Sequence, residues 1–467
     1  MLSGKQSVKD LPMNDMPPYS QKRFNLRFLP FLMLAVYTVC IACNQQDIFE
    51  ALTSKNETAA KTLHWQFVDG TPTTAVGLNH ISSYDAQDVH LLVFNNQLYA
   101  AWAERNGNAG NPYQIRVARY NGDRTWALID GSGANGLNAN ASLNAFSPHL
   151  GIYAGSLYIA WNETNGTEAR IRVKRYDGGA IWTFVDGGCV GDGINYAANG
   201  IGYNAYSPRI AEFGSFMMVT WHETNGTADQ VRVRYYNGAN WLWADPGGTT
   251  GINFDTGVIG RNPQSVIFNS SLYCTWYEYD GGVGQIRIRS YNGVWAWEDG
   301  ATAIGINVSA ARFASYPTMM VFNSKLYALW EEGNISAVQQ IRFGVYTGGG
   351  VWNKLNTDVN CGINYNCAQN ARRPSMAVCW GSLHLAWYET NGSGFNQIQV
   401  MTYNGNDASP DGISITGQSN PEYGLNYNPS MNAAYPVLVG LNDILYVAWY
   451  ESNGTANQIR VAAASWY

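Results

Sequence analysis

The sequence predicts an all-β chain closed into a ring of seven four-stranded blades, a seven-bladed β-propeller, on three observations. A Trp-x-Glu tripeptide recurs seven times, starting at Trp102, Trp161, Trp221, Trp276, Trp330, Trp387 and Trp449, at a spacing of about 58 residues. Each interval holds short apolar or alternating runs punctuated by Gly, Asn and Asp, the pattern of strands joined by tight turns. The last repeat stops after its third strand, and the missing strand stands at the other end as Trp65-Gln66-Phe67-Val68-Asp69-Gly70, matching residues 126–131 and 182–187. A ring whose last blade takes a strand from the N-terminal side has no free sheet edge.

The second repeat shows the elements in order. Pro148 opens an apolar run to Tyr153, the innermost strand, and Ala154-Gly155-Ser156 turns the chain. Leu157-Tyr158-Ile159-Ala160-Trp161 follows as a second apolar strand, as expected of a sheet covered on both faces by neighbouring blades. Asn165-Gly166 tolerates the positive φ of a hairpin turn. Arg170 to Tyr176 alternates apolar and charged residues, a more exposed third strand, and after Asp177-Gly178 the segment Ile181 to Val185 is the outer strand.

Three further features repeat. A third-strand Arg (Arg116, Arg172, Arg232, Arg287, Arg342, Arg460, with Gln399 in repeat 6) follows each Trp-x-Glu, so a Glu–Arg pair across the hairpin is expected. A Gly-Ile/Leu-Asn motif ends at Asn79, Asn138, Asn195, Asn253, Asn307, Asn364 and Asn426, and reads as turn chemistry between blades. Asp-Gly pairs at Asp69, Asp130, Asp186 and Asp299 read as ordinary turns. They stand too far apart for a calcium loop, even with Asp192 nearby, so no metal or other cofactor is expected.

Only 13% of residues are charged and the net charge is −6, which gives no reason to expect nucleic acid or an anionic membrane as partner. Lys22, Arg23 and Arg27 precede an apolar run from Phe28 to Cys43, shorter than the ~20 residues of a membrane span. Residues 1–43 therefore read as an export signal, 44–61 as a polar tether and 62–467 as the propeller. Cys40-Ile41-Ala42-Cys43 resembles a bacterial lipoprotein box with Cys43 as the lipidated residue, the alternative being an uncleaved signal anchor; the resemblance implies an envelope lipoprotein or a secreted protein, membrane-bound only through its N-terminal anchor. In that oxidising setting Cys361 and Cys367, in one loop, are expected to pair.

Seven equivalent Glu residues are the wrong pattern for catalysis, which needs differently tuned groups. Symmetry favours repeated binding, and the loop face offers aromatic and amide residues suited to glycans: Tyr196, Tyr203, Asn204, Tyr206, Tyr365 and Tyr427. Symmetry breaks at the residue after each blade-opening Pro, where His90, His149 and Arg209 are expected at the mouth of the central channel.

The repeat unit Trp-x-Glu-x-Asn-Gly-Thr…Gln-Ile-Arg-Val…Tyr-Asn-Gly resembles those of uncharacterised exported bacterial propeller proteins, and in architecture it is similar to multivalent propeller lectins. The Ser-x-Asp-x-Gly-x-Thr-Trp box of sialidases is absent from the sequence. The expectation is a multivalent carbohydrate-binding module rather than an enzyme, its partner a glycan. The alternatives are a scaffold for envelope or extracellular proteins, and a glycan-active hydrolase or lyase. That enzyme would need carboxylates, or a His/Arg/Tyr group, converging around His90, His149 and Arg209.

Overall fold

The computed structural model describes residues 63–466, except 71–76, 132, 134, 189–192, 197–202, 280–281, 303, 404 and 406–423. The export signal 1–43 with Cys43, the tether 44–61, Asp192 and the outer strand of repeat 6 lie outside the described residues.

Among the described residues every regular element is a strand, and the strands form seven antiparallel sheets. Six sheets have four strands and the seventh, Ala371–Cys379, Ser382–Thr390 and Asn396–Tyr403, shows three. The inner strands are Ala86–Phe94, Ala145–Tyr153, Ala205–Phe213, Ile259–Phe268, Ala314–Phe322, Ala371–Cys379 and Ala433–Leu441, each beside the next and the last beside the first. The result is the predicted propeller. Leu63–Phe67 pairs with Asn457–Trp466, with Trp65 opposite Ala464 and Phe67 opposite Ala462, and so completes the seventh blade.

Blade-to-blade cohesion comes mainly from apolar burial, with the second-strand Trp at its centre. All seven Trp-x-Glu tryptophans are almost completely buried, each of a size that contributes several kcal/mol. The outer-strand tryptophans tie neighbours together through their indole N–H. Trp126 donates to the Val68 carbonyl at 2.9 Å, Trp182 to Ile129 at 2.8 Å and Trp241 to Val185 at 2.8 Å.

Two expectations about the repeated charges need correction. The third-strand Arg pairs not with the Glu but with the Asp that follows the outer strand, in Asp-Gly or, in repeat 3, Asp245-Pro246: Arg116–Asp130 at 2.9 Å, Arg172–Asp186 at 2.8 Å, Arg232–Asp245 at 2.8 Å, Arg287–Asp299 at 3.0 Å and Arg460–Asp69 at 3.0 Å. These Asp residues are therefore buried ion-pair partners as well as turn formers, Asp186, Asp245 and Asp299 each accepting the backbone N–H two residues on. Burial still dominates the titration of Asp69, Asp186 and Asp299, and pushes Asp69 up to about 6 although Arg460 opposes it. The outer strand folds its Asp back over the third strand, where its carboxylate also accepts a backbone N–H (Val173 to Asp186, 2.9 Å).

The Glu has a different task. Glu163 accepts the Trp161 indole N–H at 2.9 Å and the backbone N–H groups of Ala139 and Asn140 at 3.0 and 2.9 Å. Those two residues follow Asn138, whose own side chain accepts from Ile115 N and donates to the carbonyls of Tyr113 and Leu143. Each long connection is thus clamped between the blade it leaves and the blade it enters. Replacing Glu163 by Ala strands three donors in a buried setting and is expected to destabilise the fold by about 3 kcal/mol or more. Urea unfolding would show this, and a change within ~0.5 kcal/mol would refute the clamp.

Candidate functional site at the channel mouth

The inner strands share a distortion that the sequence does not announce. In the first blade Gln87 pairs with Ala103 and His90 with Ala101, so the inner strand takes three steps against two. The same shift occurs in the other six blades. It is a β-bulge, and bulges re-aim a side chain. At each one a non-glycine residue sits in the left-handed region: Asp88 (φ 56°), Ser147 (53°), Ser207 (56°), Asn262 (52°), Tyr316 (47°), Arg373 (57°) and Tyr435 (58°). Each costs on the order of 1–3 kcal/mol, and such strain clusters at functional sites.

These seven residues form a ring around the channel mouth on the loop-rich face, and the ring is not symmetric. Blades 2 to 4 contribute Ser, Ser and Asn, while blades 5, 6, 7 and 1 contribute Tyr, Arg, Tyr and Asp. The Arg373 guanidinium lies 3.2 Å from the Tyr316 ring centroid and 4.3 Å from that of Tyr435, a cation held between two aromatic plates. Asp88 accepts the backbone N–H and hydroxyl of Ser147 at 3.1 and 3.3 Å. The residue is half-buried, its surroundings packed but not closed off. Enclosure raises its pKa, against the pull of Ser147, Arg373 and Arg209.

Beneath Arg373 lies a second carboxyl. Glu331, the middle residue of its Trp-x-Glu, is 1% exposed, accepts Arg373 N–H at 2.7 Å and contacts the Ser315 hydroxyl at 3.5 Å. Burial pushes it up to about 7 despite Arg373. A carboxyl whose folded pKa is raised adds stability fully below its unfolded value near 4.5, and that stability is lost as pH rises through 7. Wild type is therefore expected to lose up to about 3 kcal/mol more than Glu331→Gln between these limits. Parallel pH–stability curves for the two proteins would refute the assignment.

His90, His149 and Arg209 do meet at the channel, one layer below the bulges. The two imidazoles lie 4.0 Å apart, centroid to centroid. Each Nδ1 accepts a backbone N–H of the next blade, from Leu150 and from Ile210, both at 3.2 Å. Enclosure pushes both imidazoles down, His90 to about 3, so both are neutral and join blades. Arg209 donates to its neighbour Pro208 O at 2.8 Å and faces Asp88.

The structure scatters the loop-face residues. Tyr196 and Tyr427 each follow a Gly-Ile/Leu-Asn motif and cover a buried Arg, with Arg232 Cζ 5.5 Å from the Tyr196 ring and Arg460 Cζ 4.3 Å from the Tyr427 ring. Tyr203 is buried and stacks on Tyr196 at 6.3 Å. The Asn204 side chain accepts Ala169 N–H at 2.8 Å. Tyr206 lies beside His222, and Tyr365 stays exposed. Cys361 and Cys367 form a disulfide with Cα atoms 5.0 Å apart. Sequence reasoning missed the bulge ring. Its one trace is that the residue before each blade-opening Pro varies between repeats.

No protein-family model matches the chain, and no curated protein matches it. Among solved structures it is similar to the GH93 α-L-arabinofuranosidase of Fusarium graminearum in complex with arabinobiose, at 11% identity over 68% of this chain and 91% of that one, TM-score 0.44. It is likewise similar to the α-L-arabinanase of Penicillium chrysogenum with arabinobiose, at 12% identity over 68% and 92%, TM-score 0.43. A Hadza microbial sialidase shares 10% identity over 86% of this chain and 68% of that one, TM-score 0.44. These neighbours are named as glycan-active enzymes and none of the three as a lectin, which runs against the expectation of a carbohydrate-binding module without catalysis; at this similarity the likeness itself shows the propeller fold.

Proposed function

We propose that this protein is a glycan-active hydrolase whose reaction centre is the channel mouth on the loop-rich face. The observation that carries the reading is the asymmetric ring of strained residues, where two carboxyls with raised pKa converge on one aromatic-flanked Arg. Differently tuned titratable groups are what acid–base chemistry requires. Asp88 is the carboxyl open to the channel; in its protonated form it donates to the glycosidic oxygen as the bond to the anomeric carbon breaks, a water molecule adds to that carbon, and the water's proton restores the Asp88 acid. Glu331 is closed off and acts as a positioning residue that fixes the Arg373 backbone. Tyr316 and Tyr435 offer ring edges and phenol groups to the sugar, and Ser147, Ser207 and Asn262 supply hydrogen bonds to hydroxyls on the opposite side.

The reading includes export of the chain, with Cys43 as its lipid-modified residue, so the substrate is met outside the cytoplasm. Reducing-end release from a panel of neutral and acidic polysaccharides tests the proposal. Turnover that vanishes in Asp88→Asn supports it, and a blank across the panel from folded protein overturns it.

A further inference from the structure

The substrate class can be narrowed on the strength of Arg373, given that the channel mouth is the glycan site. The described residues place no acceptor on its guanidinium: no ion pair within 4.0 Å and no hydrogen bond from any of its side-chain nitrogens. Its fixed partners are the faces of Tyr316 and Tyr435. Two rings at these distances hold a planar fork by its carbon, and no described acceptor takes up its N–H groups. A planar fork matches a carboxylate bidentately, which an ammonium cannot do. A residue recruited only for stability would instead resemble the five repeated arginines that each sit within 3.0 Å of an Asp.

The charge around the fork agrees. Arg209 lines the channel just below and has no ion-pair partner among the described residues, its one hydrogen bond going to Pro208 O. Two carboxyls, Asp88 and Glu331, share the site, and enclosure favours the neutral form of both. Arg373 and Arg209 thus stand together at the mouth of a chain whose net charge is −6.

We infer that the channel mouth binds a carboxylated sugar, its carboxylate seated on the Arg373 fork with Arg209 behind it. A hexuronate and a nonulosonate share this chemistry, and the experiment distinguishes them.

Calorimetric titration of the intact protein with free monosaccharides is the test, because a monosaccharide has no glycosidic bond to cleave and the result is independent of turnover. Galacturonate, glucuronate and N-acetylneuraminate are compared with galactose, glucose and galactose 6-sulfate. At least one carboxylated sugar is expected to bind about tenfold or more tighter than the neutral ones, and Arg373→Gln to bring that ratio close to one. Arg373→Lys, which keeps the charge without the fork, should recover only part of it. Arg209→Gln, away from the aromatic plates, should also weaken acid binding and serves if Arg373→Gln does not fold.

Equal affinity for neutral sugars, preference for the sulfate, a preference that survives Arg373→Gln, or no binding of any sugar would each overturn the inference. Hydrolysis of neutral glycans alongside failed acid binding would sink this inference and leave the hydrolase reading standing.

Discussion

Asp88→Asn is expected to lower glycan turnover by about 10²–10⁴-fold with little change in stability. The amide keeps an oxygen to accept the Ser147 N–H and hydroxyl, at 3.1 and 3.3 Å in the native protein, so the bulge and its left-handed backbone survive. What is lost is the proton. Burial raises the Asp88 pKa, so the acid form persists above the ordinary carboxylate range. The wild-type rate is then expected to fall as pH rises through that raised value, while the residual rate of the variant lacks this limb. Turnover within about threefold of wild type in the variant would remove Asp88 from the chemistry.

Deleting residues 63–70 is expected to abolish the soluble monomer. The deletion leaves Asn457–Trp466 as an open sheet edge, a template for pairing with another chain. It also removes Asp69 and leaves the nearly buried Arg460 without its carboxylate, where a lone buried charge costs about 3–5 kcal/mol. Val461 N–H loses its Asp69 acceptor at 3.0 Å and the Trp126 indole loses the Val68 carbonyl at 2.9 Å. Trp65 and Phe67 leave the apolar cluster they pack against. Together these losses rival the ~5–15 kcal/mol that holds a typical domain folded. Size-exclusion chromatography and thermal unfolding read the outcome. A monomer with a native transition would show that the ring holds without its closing strand.

The wrong partner assigned to Arg172 illustrates the limit of pattern reading. Glu163 and Asp186 are both acidic, both recur at fixed offsets, and both lie within reach of the third strand along the chain. Strand pairing decides between them. Trp161 sits opposite Arg172, while Glu163 points to the connecting loop and saturates its oxygens on N–H groups. The Asp arrives from the outer strand beside the guanidinium. Likewise Tyr196 and Tyr427 read as ligand-facing aromatics, and the structure adds that each ring lies against a buried arginine, a contact the sequence does not announce.

Local periodicity, turn residues and a seven-fold repeat were enough to determine the strands, the blade count and the closure at Leu63–Phe67, because each depends on residues close in sequence or repeated within it. The candidate site depended on tertiary structure. The Pro that follows Tyr316, Arg373 and Tyr435 reads equally as a strand start or a bulge, and an inserted residue changes which side chain faces inward without changing the apolar pattern. The convergence of these three with Asp88 unites strands from blades 1, 5, 6 and 7, and only ring closure brings the first of these beside the last. The raised pKa values of Asp88 and Glu331 arise from the same enclosure, which seven strands create together and no single repeat contains.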